Sequence, residues 1–405
     1  MRVSIGEIVL SPKGFARWKR GHPWIYRDDL ASEPPGEPAV ARVLGKGGVE
    51  LGWAICSPRS KIALRRIASP GELEDPRPEA WIPERIRRAA ARRAPLSEAT
   101  NAFRLVHAEG DGLPGLVVDR FGETLVVQTS TALMELCLPI LVPALVELCG
   151  PSQVVARNDH RTRRLEGLPE RIELLHGRRK ERVWIHEHGI EIPVEVFTGQ
   201  KTGYFLDQRP ARARVLDLCR RRAGEGCGEF RVLDLCSYSG GFALHAARGG
   251  AAEVLAVDQS RSALTLLEAA AERNGFRGIR ATRAKVFGWL KEAAARGERF
   301  QGIVLDPPAF APAKRDFERA RHGYRKLNAR ALALAGNGAW VLSCSCSAHM
   351  PAQAFRDMLA EAAALAGKRV RDRGRLPPAL DHPVLLGLPE ADYLKVHELE
   401  VLGPA

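Results

Sequence analysis

The sequence predicts an α/β fold for the second half of the chain, with a sheet of buried parallel strands that alternate with helices. The clearest observation is the stretch 231–260, RVLDLCSYSGGFALHAARGGAAEVLAVDQS. An apolar run containing Asp234 is followed by a double-glycine break, a helical segment and a second apolar run that ends at Asp258. The second observation is that this alternation continues through apolar runs ending at Asp306 and near Cys346.

These polar residues come at the carboxyl ends of strands, where open α/β sheets bind ligands. A glycine turn leading into a helix presents backbone amides, and Asp258 can accept hydrogen bonds from two ribose hydroxyls. This pattern predicts a nucleoside cofactor, either a dinucleotide or S-adenosylmethionine. The dinucleotide fingerprint G-x-G-x-x-G is absent, because residues 236–239 contain no glycine. A Rossmann unit that binds no nucleotide is the remaining alternative.

Two smaller regions are predicted before this α/β region. Residues 1–70 contain short strand-like runs separated by glycine and proline turns, which predicts a small β-rich domain. A proline- and acid-rich linker at 70–78 leads into a helix and then strand, hairpin, helix and strand patterns, which predict an α+β domain over 75–185. The α/β domain is expected over 190–405.

Composition limits the class of protein. The hydrophobic fraction of 45% is ordinary for a globular chain, no apolar run is long enough to span a bilayer, and no signal-peptide core is present. We therefore expect a cytoplasmic protein without membrane partners. The eight cysteines lack metal-site spacing, which predicts free thiols and no metal.

The net charge of +13 favours a polyanionic partner. Between two strand-like runs, cations alternate with aromatic side chains, a composition suited to phosphate contacts and base stacking in RNA. In the alternative interpretation the aromatic side chains belong to the core and the cations are merely solvated. The predicted RNA-binding residues of this segment and of a later cluster are Lys13, Arg17, Lys19, Arg20, Arg161, Arg163 and Arg164.

Seven segments together resemble a known family over nearly the whole chain. They are GHPW at 21–24, HAEGDGLPGLVVD at 107–119, GQKTGYFLDQR at 199–209, SYSGGFALH at 237–245, LDPPAF at 305–310, SCS at 345–347 and DHPV at 381–384. The sequence is similar to the bacterial 23S rRNA cytosine-C5 methyltransferases. The resemblance implies an N-terminal PUA domain, a central α+β domain and a class I methyltransferase domain that uses S-adenosylmethionine.

The resemblance also implies residue roles. Asp234 and the turn carrying Ser237, Tyr238, Gly240 and Gly241 would hold the methionine part of the cofactor. Asp258 would hold the ribose, and Gln208 with its preceding loop would close over the cofactor. Asp306 would also lie against the cofactor. Lys285 is a departure, since relatives place Asp or Asn there to accept from the adenine amine, whereas an ammonium only donates. The implied partner is 23S rRNA, and a homodimer is left open.

Cytosine C5 is a poor nucleophile until a thiolate adds to C6, and an acid bonded to N3 stabilises that adduct. Cys346 matches the family motif as the nucleophile, Asp306 has the type and position of the acid, and Cys344 is expected to pack beneath Cys346. One alternative is an enzyme that methylates an exocyclic nitrogen of guanine or adenine, which needs no cysteine. The other is an RNA-binding assembly factor with weakened cofactor affinity, favoured by Lys285 alone.

Overall fold

The N-terminal region is a five-stranded sheet with a short helix. The computed structural model describes residues 3–226, 228–310 and 316–405. In the sheet the strand order is β1-β3-β4-β5-β2. The elements are β1 (Ser4–Val9), α1 (Pro12–Lys19), β2 (Trp24–Tyr26), β3 (Ala39–Leu44), β4 (Glu50–Cys56) and β5 (Ile62–Ala68). The predicted β-rich region is confirmed.

Helix α1 was not predicted from the sequence. Ser11 caps it, because its hydroxyl accepts from the backbone N–H of Gly14 at 3.2 Å, and Pro12 occupies the first turn. Trp18 is buried and its indole N–H donates to the carbonyl of Leu51 at 3.0 Å. For Trp18 the core interpretation is therefore correct, and its ring is not available to stack on bases.

A second five-stranded sheet follows, in the order β10-β9-β8-β7-β6. Its region contains α2 (Pro78–Arg93), β6 (Ala102–His107), β7 (Leu116–Phe121), β8 (Thr124–Thr129), α3 (Ala132–Leu136), α4 (Leu138–Cys149), β9 (Gln153–Asn158) and β10 (Arg171–Gly177). The hairpin of β11 (Arg182–Glu187) and β12 (Ile190–Glu195) comes next. Strands β10, β11 and β12 were not predicted from the sequence. Strand β10 is largely exposed, so it has no buried apolar face that a sequence pattern would show.

These two sheets share apolar packing. Val40 and Ile55 of the first sheet lie in the same buried cluster as Trp81 and Ile82 of α2. A buried ion network then joins segments that are distant in sequence: Asp111 accepts from Arg93, and Asp119 accepts from Arg104 at 2.7 and 3.0 Å. The network includes Thr202, which donates to Asp119 at 2.6 Å, and Asp381, which accepts from the backbone N–H of Arg104 at 2.8 Å.

The C-terminal sheet has seven strands in the order β15-β14-β13-β16-β17-β19-β18. Strands β13 to β17 are parallel to one another, whereas β19 is antiparallel to both β17 and β18. The elements are α5 (Arg209–Gly224), β13 (Arg231–Leu235), α6 (Gly241–Arg248), β14 (Glu253–Asp258), α7 (Arg261–Arg273), β15 (Ile279–Arg283), α8 (Val286–Ala295), β16 (Phe300–Leu305), α9 (Phe317–Ala333), β17 (Ala335–Ser345), α10 (Ala352–Leu365), β18 (Lys368–Arg375) and β19 (Lys395–Pro404). The predicted α/β fold is confirmed.

Strand β18 was not predicted, because its sequence KRVRDRGR carries little apolar character. It lies at the edge of the sheet, where exposed cations discourage pairing with further strands. Strands β13 and β16 are buried along most of their length, so their side chains form nearly continuous apolar runs.

The described chain forms two compact units. The first consists of Met1–Glu187, Val194–Leu206 and Leu380–Ala391, and the second of His188–Pro193, Asp207–Ala379 and Asp392–Ala405. The boundaries 1–70, 75–185 and 190–405 remain predictions. Among the described residues, no helix has both the length and the apolar character that crossing a bilayer requires.

Candidate active site

The turn between β13 and α6 has an unusual backbone. Cys236 and Tyr238 have φ angles of 63° and 51°, which L side chains rarely adopt, and Gly240 has a φ of 78°. A Cβ on Gly240 would lie 2.1 Å from a methyl carbon of Leu267. The turn therefore requires glycine at 240, and it brings Gly241 to the first position of α6.

Asp234 lies beneath this turn and is fully buried. Its Oδ2 accepts from the backbone N–H of Ala243 at 3.0 Å, whereas its Oδ1 has no hydrogen-bond partner among the described residues. Burial raises the pKa of Asp234 well above its usual value, and the nearby Asp306 and Asp258 carboxylates raise it further. The site thus contains a buried carboxyl group that has no cationic partner within the part of the chain that the structure describes.

Asp258 ends β14 with its carboxylate oriented by the same turn. Its Oδ2 accepts from the N–H of Tyr238 at 2.9 Å, and its Oδ1 accepts from the N–H of Ser260 at 2.8 Å. The side chain is only partly buried, so each oxygen retains a lone pair for a further donor. This arrangement fits a pair of hydroxyl groups.

Two more buried acceptors complete this group. Gln208 and Ser237 are 3% and 5% exposed, and Gln208 Oε1 and Ser237 Oγ have no partner among the described residues. Buried polar atoms are normally satisfied, so orphans grouped in one place indicate a ligand with matching donors. S-adenosylmethionine carries an ammonium, a sulfonium and ribose hydroxyls, and it fits this acceptor-rich group.

The register of the sheet brings the remaining predicted residues to the same edge. Leu235, Leu305 and Ser343 pair across β13, β16 and β17, so Asp306 and Cys344 lie in the next row. Neighbouring strands are about 4.8 Å apart, so Asp306 and Cys344 lie close to each other at this edge of the sheet. Cys346 follows two residues beyond Cys344.

The two cysteines differ in environment. Cys344 is fully buried, and burial with the nearby Asp306 carboxylate raises the pKa of its thiol well above the usual value, although the Gln208 side chain hydrogen-bonds it. Cys346 is partly exposed at the end of β17. The prediction that Cys344 packs beneath Cys346 agrees with this burial. The other described cysteines are also free thiols, and Cys227 lies outside the described residues.

Lys285 is exposed and immediately precedes α8, at the carboxyl end of β15. It therefore lies on the same edge of the sheet as Asp258, whose carbonyl accepts from the N–H of Ala284 at 2.9 Å. Its side chain supplies a donor where the resemblance implies an acceptor.

The predicted RNA-binding residues fall into two groups. Lys13, Lys19, Arg20, Arg161 and Arg164 are exposed, although Lys13 pairs with Asp29 at 3.1 Å and Arg164 with Glu170 at 2.7 Å. Arg17 is half-buried between Asp29, at 2.9 Å, and the ring of Tyr26.

Arg163 requires a correction. It is completely buried, where it pairs with Glu135 at 3.0 Å and donates to the carbonyl of Pro169 at 2.8 Å. Its guanidinium therefore stabilises the fold. Arg163 is accordingly removed from the residues predicted to contact RNA. The sequence RTRR gave no sign of which arginine points inward.

Two family models match the chain. Residues 8–69 match a PUA-like domain, and residues 149–381, more than half of the chain, match the S-adenosylmethionine-dependent methyltransferase model. The chain belongs to the S-adenosylmethionine-dependent methyltransferases.

Curated relatives of this methyltransferase match nearly end to end. The protein named ribosomal RNA large subunit methyltransferase I from Vibrio cholerae is 34% identical over 395 residues, covering 95% of this chain and 96% of the relative. The protein of the same name from Alteromonas mediterranea is 33% identical over 396 residues, with coverages of 96% and 97%.

Solved structures share the fold of this methyltransferase. A protein from Streptococcus mutans described as a SAM-dependent methyltransferase superimposes with a TM-score of 0.79 at 20% identity, covering 98% of this chain and 100% of that chain. A methyltransferase crystal structure complexed with SAH gives a TM-score of 0.81 at 21% identity, covering 99% and 100%.

Sequence reasoning missed two buried polar side chains next to the cysteine segment. Tyr324 on α9 is fully buried, and its hydroxyl lies 3.0 Å from Ser347 Oγ. Lys395, at the start of β19, donates to the carbonyl of Ser347 at 2.7 Å. The sequence signal for Lys395 is weak: it is a lysine at the start of a strand, KVHELEVLGP, that mixes apolar and charged residues.

Asp234→Asn should stabilise the cofactor-free methyltransferase by about 1–2 kcal/mol at pH 8, because the variant no longer buries a carboxylate. Since the folded-state pKa lies above the unfolded value, the contribution of Asp234 to stability is fully present below pH 3.8 and is lost as pH rises through the raised pKa. Urea unfolding at pH 4 and pH 8 measures this. Equal stability of the two proteins at pH 8 would contradict it.

Asp258→Ala should weaken S-adenosylmethionine binding by about 1.5–3 kcal/mol, the range for hydrogen bonds to a charged group. Isothermal titration calorimetry of the folded variant measures the loss. Glu268→Ala is the matched control, because Glu268 is an exposed carboxylate on α7 that pairs with Arg261. Unchanged affinity of the Asp258 variant would remove Asp258 from the cofactor site.

Proposed function

We propose that this methyltransferase forms 5-methylcytosine in 23S rRNA, with Cys346 as the nucleophile and Asp306 as the acid beside it. The observation that carries the proposal is the partly exposed Cys346 thiol at the carboxyl edge of the sheet, where Asp234, Asp258 and Asp306 also lie. The relatives named ribosomal RNA large subunit methyltransferase I support the substrate class.

In the proposed mechanism S-adenosylmethionine supplies an electrophilic methyl group. The Cys346 thiolate adds to C6 of cytosine, forming an S–C6 bond and moving the C5–C6 π electrons toward C5. Asp306, protonated, hydrogen-bonds N3 and stabilises the charge of the adduct. C5 takes the methyl group, while the electrons of the broken methyl–sulfur bond remain on the departing S-adenosylhomocysteine. A base then removes the C5 proton, and the S–C6 bond breaks to return the Cys346 thiolate.

The choice between the two cysteines rests on ionisation. A thiolate is the attacking species, and burial strongly disfavours it at Cys344. Cys346 is open to solvent on one side, so it can lose its proton and reach a base. The bound cofactor would lie over the Gly240 turn, held by Asp258 at its hydroxyls and by Asp234 at its cationic part.

Cys346→Ser should abolish methylation and a covalent complex with 5-fluorocytidine RNA, because fluorine at C5 leaves no proton for the elimination step and a serine hydroxyl ionises far less than a thiol. The readout is a denaturation-resistant shifted band that depends on S-adenosylmethionine. Cys344→Ser is the matched control and should retain the band.

Two outcomes would contradict the proposal. Full methylation by Cys346→Ser would exclude covalent catalysis and favour methylation of an exocyclic nitrogen. If only Cys344→Ser loses the band, the covalent reaction is correct but its nucleophile is Cys344.

The RNA-binding part of the proposal predicts a steep fall in RNA affinity as salt increases, because phosphate contacts release bound counterions. The double variant of Arg161→Gln and Arg164→Gln should reduce the slope of log affinity against log salt by about 1–2. The control is Arg87→Gln with Arg88→Gln, two exposed arginines of α2 that pair with Glu84. Equal flattening in both variants would show that the contribution is general charge rather than a binding surface.

A further inference from the structure

Lys395 is a buried lysine that the mechanism above does not use. It is 2% exposed and pairs with Ser345 across β17 and β19, which brings it beside the SCS segment. Its Nζ donates to the carbonyl of Ser347 at 2.7 Å. The ammonium therefore lies at the end of β17, next to the segment that carries Cys346.

A buried ammonium normally needs an anionic partner. Among the described residues, no carboxylate lies within ion-pair distance of Lys395, and Asp392 is engaged in a two-point pair with Arg375. Burial and the Arg375 guanidinium lower the pKa of Lys395 to about 8, whereas negative charge on Cys346 and Asp392 raises it. Attraction between two groups is mutual, so the Lys395 ammonium favours the thiolate form of Cys346.

The groups that face this pair come from several elements. Tyr324 on α9 and Cys344 on β17 face Cys346, Asp306 at the end of β16 faces Cys344, Arg375 on β18 faces Lys395, and Asp392 precedes β19. Tyr324 and Cys344 are neutral at physiological pH because burial raises the pKa of each. The Lys395 ammonium is a positive charge that acts on Cys346.

We propose that Lys395 is a positioning residue that keeps Cys346 as a thiolate and holds the segment Ser345–Ser347 in place for attack on the base. The thiol proton leaves to solvent from the exposed side of Cys346, and Lys395 remains an ammonium. The choice of Cys346 as nucleophile comes from the proposed function, whereas the effect of Lys395 on the thiol is a separate property that is measured without RNA.

The test is the rate of Cys346 alkylation by iodoacetamide between pH 5 and pH 10, followed by peptide mass spectrometry. Lys395→Met should slow alkylation about tenfold at pH 7, because a rise of about one unit in the pKa of the Cys346 thiol lowers its thiolate fraction about tenfold. The difference should shrink to less than about twofold at pH 10, where the thiol ionises in both proteins. Lys395→Arg should restore most of the rate, because arginine keeps the charge.

Lys368→Met is the matched control. Lys368 lies on β18 of the same sheet and its ammonium also donates to a backbone carbonyl, that of Ala335 at 3.1 Å. In this variant, iodoacetamide should alkylate Cys346 at the same rate as in the parent protein. Where Lys395→Met does not fold, the Lys395→Arg variant and the parent pH profile decide: a parent thiol that titrates at or above about 8.5, the value of a free cysteine, overturns the inference.

The failure of this inference differs from the failure of the proposed function. Lys395→Met with an unchanged alkylation profile overturns the role of Lys395, even if methylation falls. Methylation by Cys346→Ser overturns covalent catalysis, even if Lys395 controls the thiol. Slowed alkylation together with a reduced rate constant for methylation and unchanged S-adenosylmethionine affinity supports both.

Discussion

The hydrogen bond from the Ala243 N–H to the Asp234 carboxylate joins the end of β13 to the first turn of α6. It forms inside a turn that needs three left-handed residues, Cys236, Tyr238 and Gly240. Such a backbone costs free energy and persists only where its surroundings over-determine it. In return the turn orients the N–H of Tyr238 toward Asp258, which fixes the carboxylate at the end of the neighbouring strand.

The same edge concentrates negative charge in the absence of ligand. Asp306 and Asp258 both raise the pKa of Asp234, and Asp306 has the same effect on the Cys344 thiol. In the proposed site, a cationic cofactor would relieve this repulsion, so the affinity for the cofactor and the cost in folding stability would have one physical cause. Sites that bind charged ligands commonly carry such a cost in stability.

Several segments that carry the family resemblance have structural rather than chemical roles. The buried carboxylates of Asp111 and Asp119 pair with the guanidinium groups of Arg93 and Arg104. The buried carboxylate of Asp381 accepts from the backbone N–H of Arg104, and its backbone carbonyl accepts from Arg93. Breaking one such pair leaves an uncompensated charge in the core, which costs several kcal/mol. A sequence resemblance therefore combines residues that hold the fold with residues that face a ligand, and burial separates the two.

The sequence by itself determined the α/β order and the glycine turn, because hydrophobic periodicity and turn chemistry are local properties. It also determined that polar residues end the strands on one edge, because this follows from the parallel topology. It did not determine which of several similar side chains is buried. Arg163 reads as one of three arginines near a turn, yet its guanidinium is enclosed by Glu135 and Pro169. Lys395 begins β19, the last strand of the chain, and only the antiparallel pairing of β19 with β17 brings it beside the segment that carries Cys346. Burial and long-range pairing are properties of the packed chain, so the tertiary structure alone decided them.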